Sequence, residues 1–577
     1  MYSKSTYKEP LLDGGSFFVI FFLFFALPIW GTFFLRIDPM KDQWNVLYVA
    51  SFFALLSFFK NPLYLKVDSF QKKVFLILGG FLFLNYFLHD LPFVSYFTLD
   101  RFCYAILAGF FLQVFSHIKS FNFLFLPVFS TTVLITVTAY IFRVFKVDLL
   151  DLSSLISDTM LGPSMGKFSS VFGNPNMTSQ FMGFSILLQL YGFAKMKERV
   201  PRVLLSLLSV LSVAYILDLQ CKSMMISIAL CVGYLFLKPL WLSRAHLSAI
   251  LIGGFLCGRI FLPLLGNMGA IGETIQNPFL LEAFQKPLSF RWDLLKAALL
   301  MLWKNLFGVG VGGFEFGSIP YEISFKTKML GEGAIAKSPH CEYLRFLIED
   351  GLHVVVVAVI LLGSLLWKVR RKLLLVTTDS LFFLLLAFVI LIEMLFQFPM
   401  ELPFTFSLGA MLFGYFFSDY YNTKSFAIPV ALKTLLVGVL VLLISFQTWT
   451  MIVERVYVND RAKSAWVCKY NPLSYEACLN VAAYDLKKQD WASAEHVISK
   501  ELKKRPYNFS ALRLWVESQI FQNKIPQACE GAILYDQMFA EPQTCFSKFI
   551  YGVCHTGPYE KQPESFQKTY ESFLKYL

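Results

Sequence analysis

The chain has 577 residues, 56% hydrophobic and only 16% charged, with a mean hydropathy of +0.58 and a formal charge of +12. A soluble domain carries roughly 45–50% apolar and about 25% charged residues, so this composition excludes a soluble enzyme. The basic excess forms no Lys/Arg stripe interleaved with aromatics on a polar segment, which argues against nucleic acid as a partner.

The first segment, up to Gly15, is polar, and an apolar run over 16–35 follows. That run is too long for a signal-peptide core and no small-residue cleavage site closes it, so it reads as an anchor. Further candidate spans lie at 45–59, 73–88, 98–116, 121–143, 176–194, 203–219, 222–241 and 246–265. After a long polar gap come 352–367, 380–398, 402–418 and 427–450. About 20 apolar helical residues cross ~30 Å of hydrocarbon, and the short alternating segments of a β-barrel are absent. The expected fold class is therefore all-α: a polytopic membrane helix bundle of about 13 spans over residues 1–454.

Charge sets the orientation, because cytoplasmic loops carry excess Lys and Arg. With the N-terminus inside, the cytoplasmic segments hold Lys72, Lys73, Lys195, Lys197, Arg199, Arg202, Lys368, Arg370, Arg371 and Lys372 among others. The short outward segments hold Arg36, Lys41, Arg143, Lys146, Lys167 and Lys222. This places a large loop, about 266–345, and everything beyond about Glu454 outside the cytoplasm.

From Arg455 charge returns and apolar residues space helically. Pro472 and Pro506 are 34 residues apart, as are Ala494 and Ala528, which is the tetratricopeptide period. Helices are expected at Tyr475–Lys488, Trp491–Lys504, Phe509–Gln522 and Pro526–Met538, so 455–577 reads as a separate helical repeat domain. Its cysteines are Cys468, Cys478, Cys529, Cys545 and Cys554. In an oxidising compartment a pair such as Cys545–Cys554 is expected to bridge. Cys221 and Cys341 each neighbour a candidate site residue, Lys222 and His340, so a disulfide joining the two segments is a further arrangement considered. No CxxC or Cys/His ligand spacing occurs, so neither a metal nor a cofactor is expected.

Three outward segments depart from what a plain span needs. Phe172-Gly173-Asn174-Pro175-Asn176 is a turn in which Asn176 can cap the next helix. Ser289-Phe290-Arg291-Trp292-Asp293 opens an amphipathic stretch to Lys304, followed by the glycines of Leu306–Phe314. Those glycines lack a following Lys-Ser/Thr, so they are no nucleotide loop; a tight turn or close backbone approach accounts for them. Ser338-Pro339-His340-Cys341-Glu342-Tyr343-Leu344 sets a histidine just before an amphipathic helix, where it reads as a general base or as a helix-start residue.

Taken in order, these segments resemble the O-antigen ligase/polymerase superfamily: a GNPN turn, an arginine ahead of a Gly-x-Gly stretch in a large outer loop, and His-x-Glu-Tyr-Leu before a span. Phe396–Pro403 is similar to that family's later Phe-Pro turn, and a tetratricopeptide tail is common in its longer members. The resemblance implies a glycosyltransferase-C-like bundle in the bacterial inner membrane. It implies metal-free transfer of a glycan from an undecaprenyl-diphosphate carrier to an acceptor hydroxyl on lipid A-core, glycan or protein, at the periplasmic face. Carried over by position, His340 is the base, Arg291 contacts the diphosphate, and Lys222 takes the place of an arginine, as a point charge rather than a bidentate fork. Cys341 stands where the family usually has Asn, Ser or Gln.

Glu342, Asn174 and Asn176 are accessory candidates in the same segments. Glu393, inside the eleventh span, lines an acceptor groove or pairs with another helix. Arg101 and Arg259, near outward span ends, contact lipid phosphate or snorkel. The repeat domain offers a surface for a protein partner. Repeat-unit polymerisation is an alternative within the family. A lipid-linked glycan flippase or transporter is the alternative from another class, and a non-catalytic scaffold is a third.

Overall fold

The computed structural model describes residues 50, 64–65, 73, 76–81, 127–137, 175–219, 221–237, 243–258, 281–310, 312–318, 320–321, 339–374, 378–397, 399, 403–417, 421–422, 430–455, 457, 459–471, 474–504, 508–538 and 554. In chain order the helices are α1 (Pro127–Val137), α2 (Pro175–Lys195), α3 (Arg199–Leu219), α4 (Lys222–Leu237), α5 (Arg244–Leu256), α6 (Leu281–Lys304), α7 (Gly313–Gly317) and α8 (Glu342–Asp350). They continue as α9 (Leu352–Leu374), α10 (Thr378–Phe396), α11 (Pro403–Phe417), α12 (Val430–Arg455), α13 (Arg461–Tyr470), α14 (Tyr475–Lys487), α15 (Trp491–Lys504), α16 (Phe509–Phe521) and α17 (Ile525–Met538). The strands among the described residues are β1 (Tyr64–Leu65) and β2 (Tyr421–Asn422), paired antiparallel with Tyr64 opposite Asn422. The all-α expectation holds.

Among the described residues, one helix is long and apolar enough to cross a membrane by itself, over Arg199–Leu217 of α3. Pro127–Val137, Lys222–Leu237, Arg244–Leu256, Leu352–Trp367 and Ser380–Phe396 are apolar but shorter. The expected spans at 16–35 and 98–116 lie outside the described residues, and those at 45–59 and 73–88 largely so.

The chain divides into two compact units. The first is Met1–Val67, Ala105–Gln276 and Leu366–Ser445; the second is Asp68–Tyr104, Asn277–Leu365 and Phe446–Leu577. In the first unit α2 packs on α3, α3 on α5, and α10 on α2, α4 and α11. Proline at the first helical position fits the start of α2, because its missing N–H is one the helix would leave unpaired anyway. Asn176 therefore lies within the first turn and is not the cap expected of it, while Asn174 lies outside the described residues.

This unit exposes apolar stripes and sets polar side chains within an otherwise apolar core. Val200, Val203, Leu204, Leu207 and Leu211 form an exposed apolar stripe on α3, and Ile226, Leu230 and Leu237 do so on α4. Inside, Thr132 bonds Ser185, and Gln189 Nε2 donates to Ser185 Oγ at 2.9 Å and to Ser212 Oγ at 3.3 Å. Small residues allow the close approach: a side chain at Gly254 would meet Val213 of α3.

In the second unit, α6 and α8 share a core of Leu294, Ala298, Met301, Phe314, Leu344 and Ile348. The repeat domain follows. Its helices α14 to α17 match the expected ones to within a residue at each end, and α13 precedes them without having been expected. The 34-residue period also recurs in backbone detail. Ser474 and Asn508 precede α14 and α16. Gln489 and Asn523 take positive φ at the turns. Asp490 N donates to Asp485 O, and Lys524 N to Gln519 O, both at 2.9 Å. Ala494 and Ala528 have no exposed surface, as close helix crossings require.

The cysteine pairing differs from expectation. Cys468 bridges Cys478, and Cys529 bridges Cys554; Cys545 lies outside the described residues. The turn between α13 and α14 brings Cys468 and Cys478 to a Cα separation of 4.8 Å, within the range a disulfide spans. Chain spacing cannot show which cysteines a helical hairpin sets face to face. Cys221 and Cys341, considered as a bridge, are both free thiols.

Candidate functional site

Two groups of sequence-predicted residues form, one in each unit. In the second unit the site is built on α6 and α8. The loop leaving α6 is tied to the end of α8: Val309 N donates to Ile348 O at 2.9 Å, Gly310 N to Glu349 O at 3.0 Å, and Leu352 N to Leu306 O at 2.9 Å. The last carbonyls of a helix have no partner within it, and here the glycine loop supplies the donors. Gly308 has φ +91°, and a Cβ there would lie 2.6 Å from Glu349 O; Gly351, φ +85°, would put one 2.5 Å from the Phe307 carbonyl carbon. Both positions need glycine for backbone approach, the role its sequence context indicated.

Because α6 and α8 pack along a shared core and are joined at their C-terminal ends, they run in the same direction. Arg291 lies mid-α6, one turn before Leu294 of the shared core, and His340 stands just before α8. His340 is half-buried with φ 50°. Non-glycine residues in this left-handed region are uncommon, though His is enriched there. Its conformation turns the chain from buried Pro339 into the extended cap residue Cys341. Glu342 in the first turn is 2% exposed. Burial, and then the neighbouring Cys341 and Glu342, hold the Tyr343 phenol above its ordinary range. Arg345 Nε pairs with buried Glu349 at 3.2 Å. Arg291 is half-buried at the edge of the α6 face that packs on α8, while Trp292 beside it is exposed and Asp293 is paired with Lys296 at 3.2 Å.

In the first unit, Lys222 opens α4, and the residue after it bonds Glu393. That carboxylate of α10 has no exposed surface. It accepts from Ser223 Oγ and Ser227 Oγ at 3.0 Å each, and from Gln180 Nε2 of α2 at 3.3 Å. Glu393 thus joins α2, α4 and α10, the helix-pairing alternative of the two considered for it. Ser223, Ser227 and Gln180 were not singled out in the sequence. Their signal was polarity at helical spacing inside apolar runs, which marks residues facing a bundle interior. An apolar cleft of about 410 Å³ opens beside α4, lined by Met225, Ile228, Ile252 and Phe255 among others. Lys222, Met225 and Ala229 follow one another along a single helix face, so the cleft borders the helix stripe that Lys222 heads. Arg101 and Arg259 lie outside the described residues. Among the described residues no cluster of His, Cys, Asp and Glu has the arrangement of a metal site.

No protein-family model, no curated protein and no solved structure matches this chain.

Proposed function

We propose that the chain is a multi-pass inner-membrane glycosyltransferase resembling the O-antigen ligase/polymerase superfamily. It moves a glycan from an undecaprenyl-diphosphate carrier to an acceptor hydroxyl on lipid A-core, glycan or protein at the periplasmic face. Its N-terminus is cytoplasmic and its repeat domain periplasmic. The observation that carries the reading is His340, held in a left-handed conformation just before α8, the helix that shares a core with the α6 bearing Arg291. Departures of this kind gather at functional sites, where surrounding structure holds them.

The chemistry needs little more. A diphosphate is already a good leaving group, so the reaction requires cations where charge accumulates and a base for the hydroxyl proton. In this reading the acceptor oxygen attacks the anomeric carbon, its proton passes to His340, and the bond to the carrier's diphosphate breaks with inversion. Arg291 meets the departing phosphate charge. The exposed apolar stripes of α3 and α4 support lipid exposure, since contiguous apolar surface is a liability in water. The apolar cleft beside α4 suits the carrier's hydrocarbon.

The test is transfer by purified, reconstituted protein from an undecaprenyl-diphosphate-linked glycan, offered lipid A-core, a second carrier-linked glycan or a protein. His340→Ala is expected to lose at least about 10²-fold in rate, the usual contribution of a positioned base, with membrane content unchanged. Undiminished transfer by that variant would remove His340 from the mechanism. The acceptor consumed distinguishes ligase from polymerase.

A further inference from the structure

We infer that the outer face of α13 is a bilayer-docking surface, which seats the first helix of the repeat domain in the phospholipid headgroup layer. The inference rests on the reading of α12 as a membrane span, and it adds where the chain goes on leaving that span.

Helix α13 has two unlike faces. Its inner face is fixed: Ser464 and Val467 are buried, Val467 packs with Val453 of α12 and Ala477 of α14, and Asn471 Nδ2 donates to Thr450 Oγ1 at 3.2 Å. The Cys468–Cys478 bridge holds the same side to α14. The outer face carries Ala462, Trp466, Lys469 and Tyr470, all exposed and spaced along one helical stripe. Trp466 is 44% exposed and Tyr470 52%. A single exposed aromatic residue needs no explanation, but these belong to a cluster. Trp466 lies 5.3 Å from Tyr470 and meets Phe446 of α12 edge-on at 5.9 Å. Trp449, 37% exposed, lies 6.2 Å from Tyr457. Lys469 sits over the Tyr470 ring at 5.0 Å and Lys463 over Tyr457 at 3.5 Å. Among the described residues, Asp460 at the helix start is taken up by Lys463 at 3.0 Å, and Asp485 of α14 by Arg461.

The occupant follows from continuity and charge. The cluster stands at the C-terminal end of α12, a helix that exposes Leu435, Val439 and Leu442 earlier along its length. Trp and Tyr gather where hydrocarbon gives way to headgroups, because their rings are apolar and their polar tips need water. Lys469 among them offers a cation to lipid phosphate while its stem lies on the ring.

The experiment places a photoreactive benzophenone amino acid at position 442, 466, 470 or 521 of the full chain, reconstituted in phosphatidylethanolamine/phosphatidylglycerol vesicles. Phe521, 60% exposed in the same domain and stacked on Trp491, controls for aromatic exposure alone. Phospholipid adducts are expected at 442, 466 and 470, with about tenfold less at 521, as for a site outside the interfacial belt. Lys469→Glu should lower the adduct yield at 466 severalfold. Adducts at 442, with 466 and 470 no better than 521, would overturn the docking surface while leaving the span. Absence of adducts at 442 as well would overturn both. An undiminished yield with Lys469→Glu would remove the lysine from the contact.

Discussion

A carboxylate buried in an apolar helix costs at least ~2.5 kcal/mol at a bilayer centre unless it is compensated, and Glu393 is compensated by hydroxyl and amide donors. Ser227 divides its single hydrogen between Glu393 and the carbonyl of Ser223, so no partner is redundant. Glu393→Leu would strand these donors in an apolar interior and should destabilise the first unit by about 2–4 kcal/mol, since orphaned buried polar groups cost about 1–3 kcal/mol each. Glu393→Gln keeps one acceptor oxygen and should cost about half as much. Thermal unfolding of the solubilised chain checks this; a Leu variant melting with wild type would show the cluster to be energetically idle. The sequence placed an ionisable residue inside a span but could not name its partners, which lie 213, 170 and 166 residues away. No local pattern encodes that distance. His340 and Arg291 were legible because each stands beside a recognisable break in apolar pattern, whereas the left-handed turn at His340 is visible only in the backbone.

At the scale of elements, the repeat helices were legible because their period is internal to the sequence: Ala494 and Ala528 mark one crossing twice. Cross-helix polar contacts were not. Glu495 of α15 accepts from Gln522 Nε2 and from Lys524 Nζ, each at 2.8 Å, fastening α15 to the turn before α17. Burial alone pushes this carboxyl up and is the largest single influence. The donors Lys524, Gln522 and Gln519 together outweigh it and hold the group below the usual glutamate range. A carboxylate whose folded value is depressed stabilises fully above its unfolded value, about 4.3, and loses that stabilisation as pH falls through the folded value. Hydrogen-exchange protection factors across α15 and α16 of the full chain, corrected for the intrinsic pH dependence of exchange, should therefore fall as pH drops below about 4.3. Glu495→Gln should flatten that dependence while leaving exchange in α6 unchanged. An identical acid profile in the variant would assign the effect to other carboxylates. The glycine loop teaches the same limit: its composition announced close approach, but only the fold shows that what it approaches is the end of α8.

For the whole molecule, side of the membrane decides whether the proposed chemistry is possible. In the proposed topology the repeat domain lies outside, and four expected spans separate it from the loop carrying Arg291 and His340, so both would share one compartment. The two disulfides make this testable. In the native cell Cys468, Cys478, Cys529 and Cys554 should resist alkylation until reduced, because disulfides persist in the periplasm and not in the cytosol. Closing loops of 10 and 25 residues should contribute about 3 kcal/mol each to the repeat domain on chain-entropy grounds, so reductant should lower its melting temperature. Alkylation of all four without reductant, in intact cells permeabilised only at the outer membrane, would place them free in the periplasm and remove the bridges alone. Protection that ends only when the inner membrane is opened, with no reductant added, would place the tail in the cytoplasm. That result would carry His340 to the same side and remove it from any acceptor on the outer face.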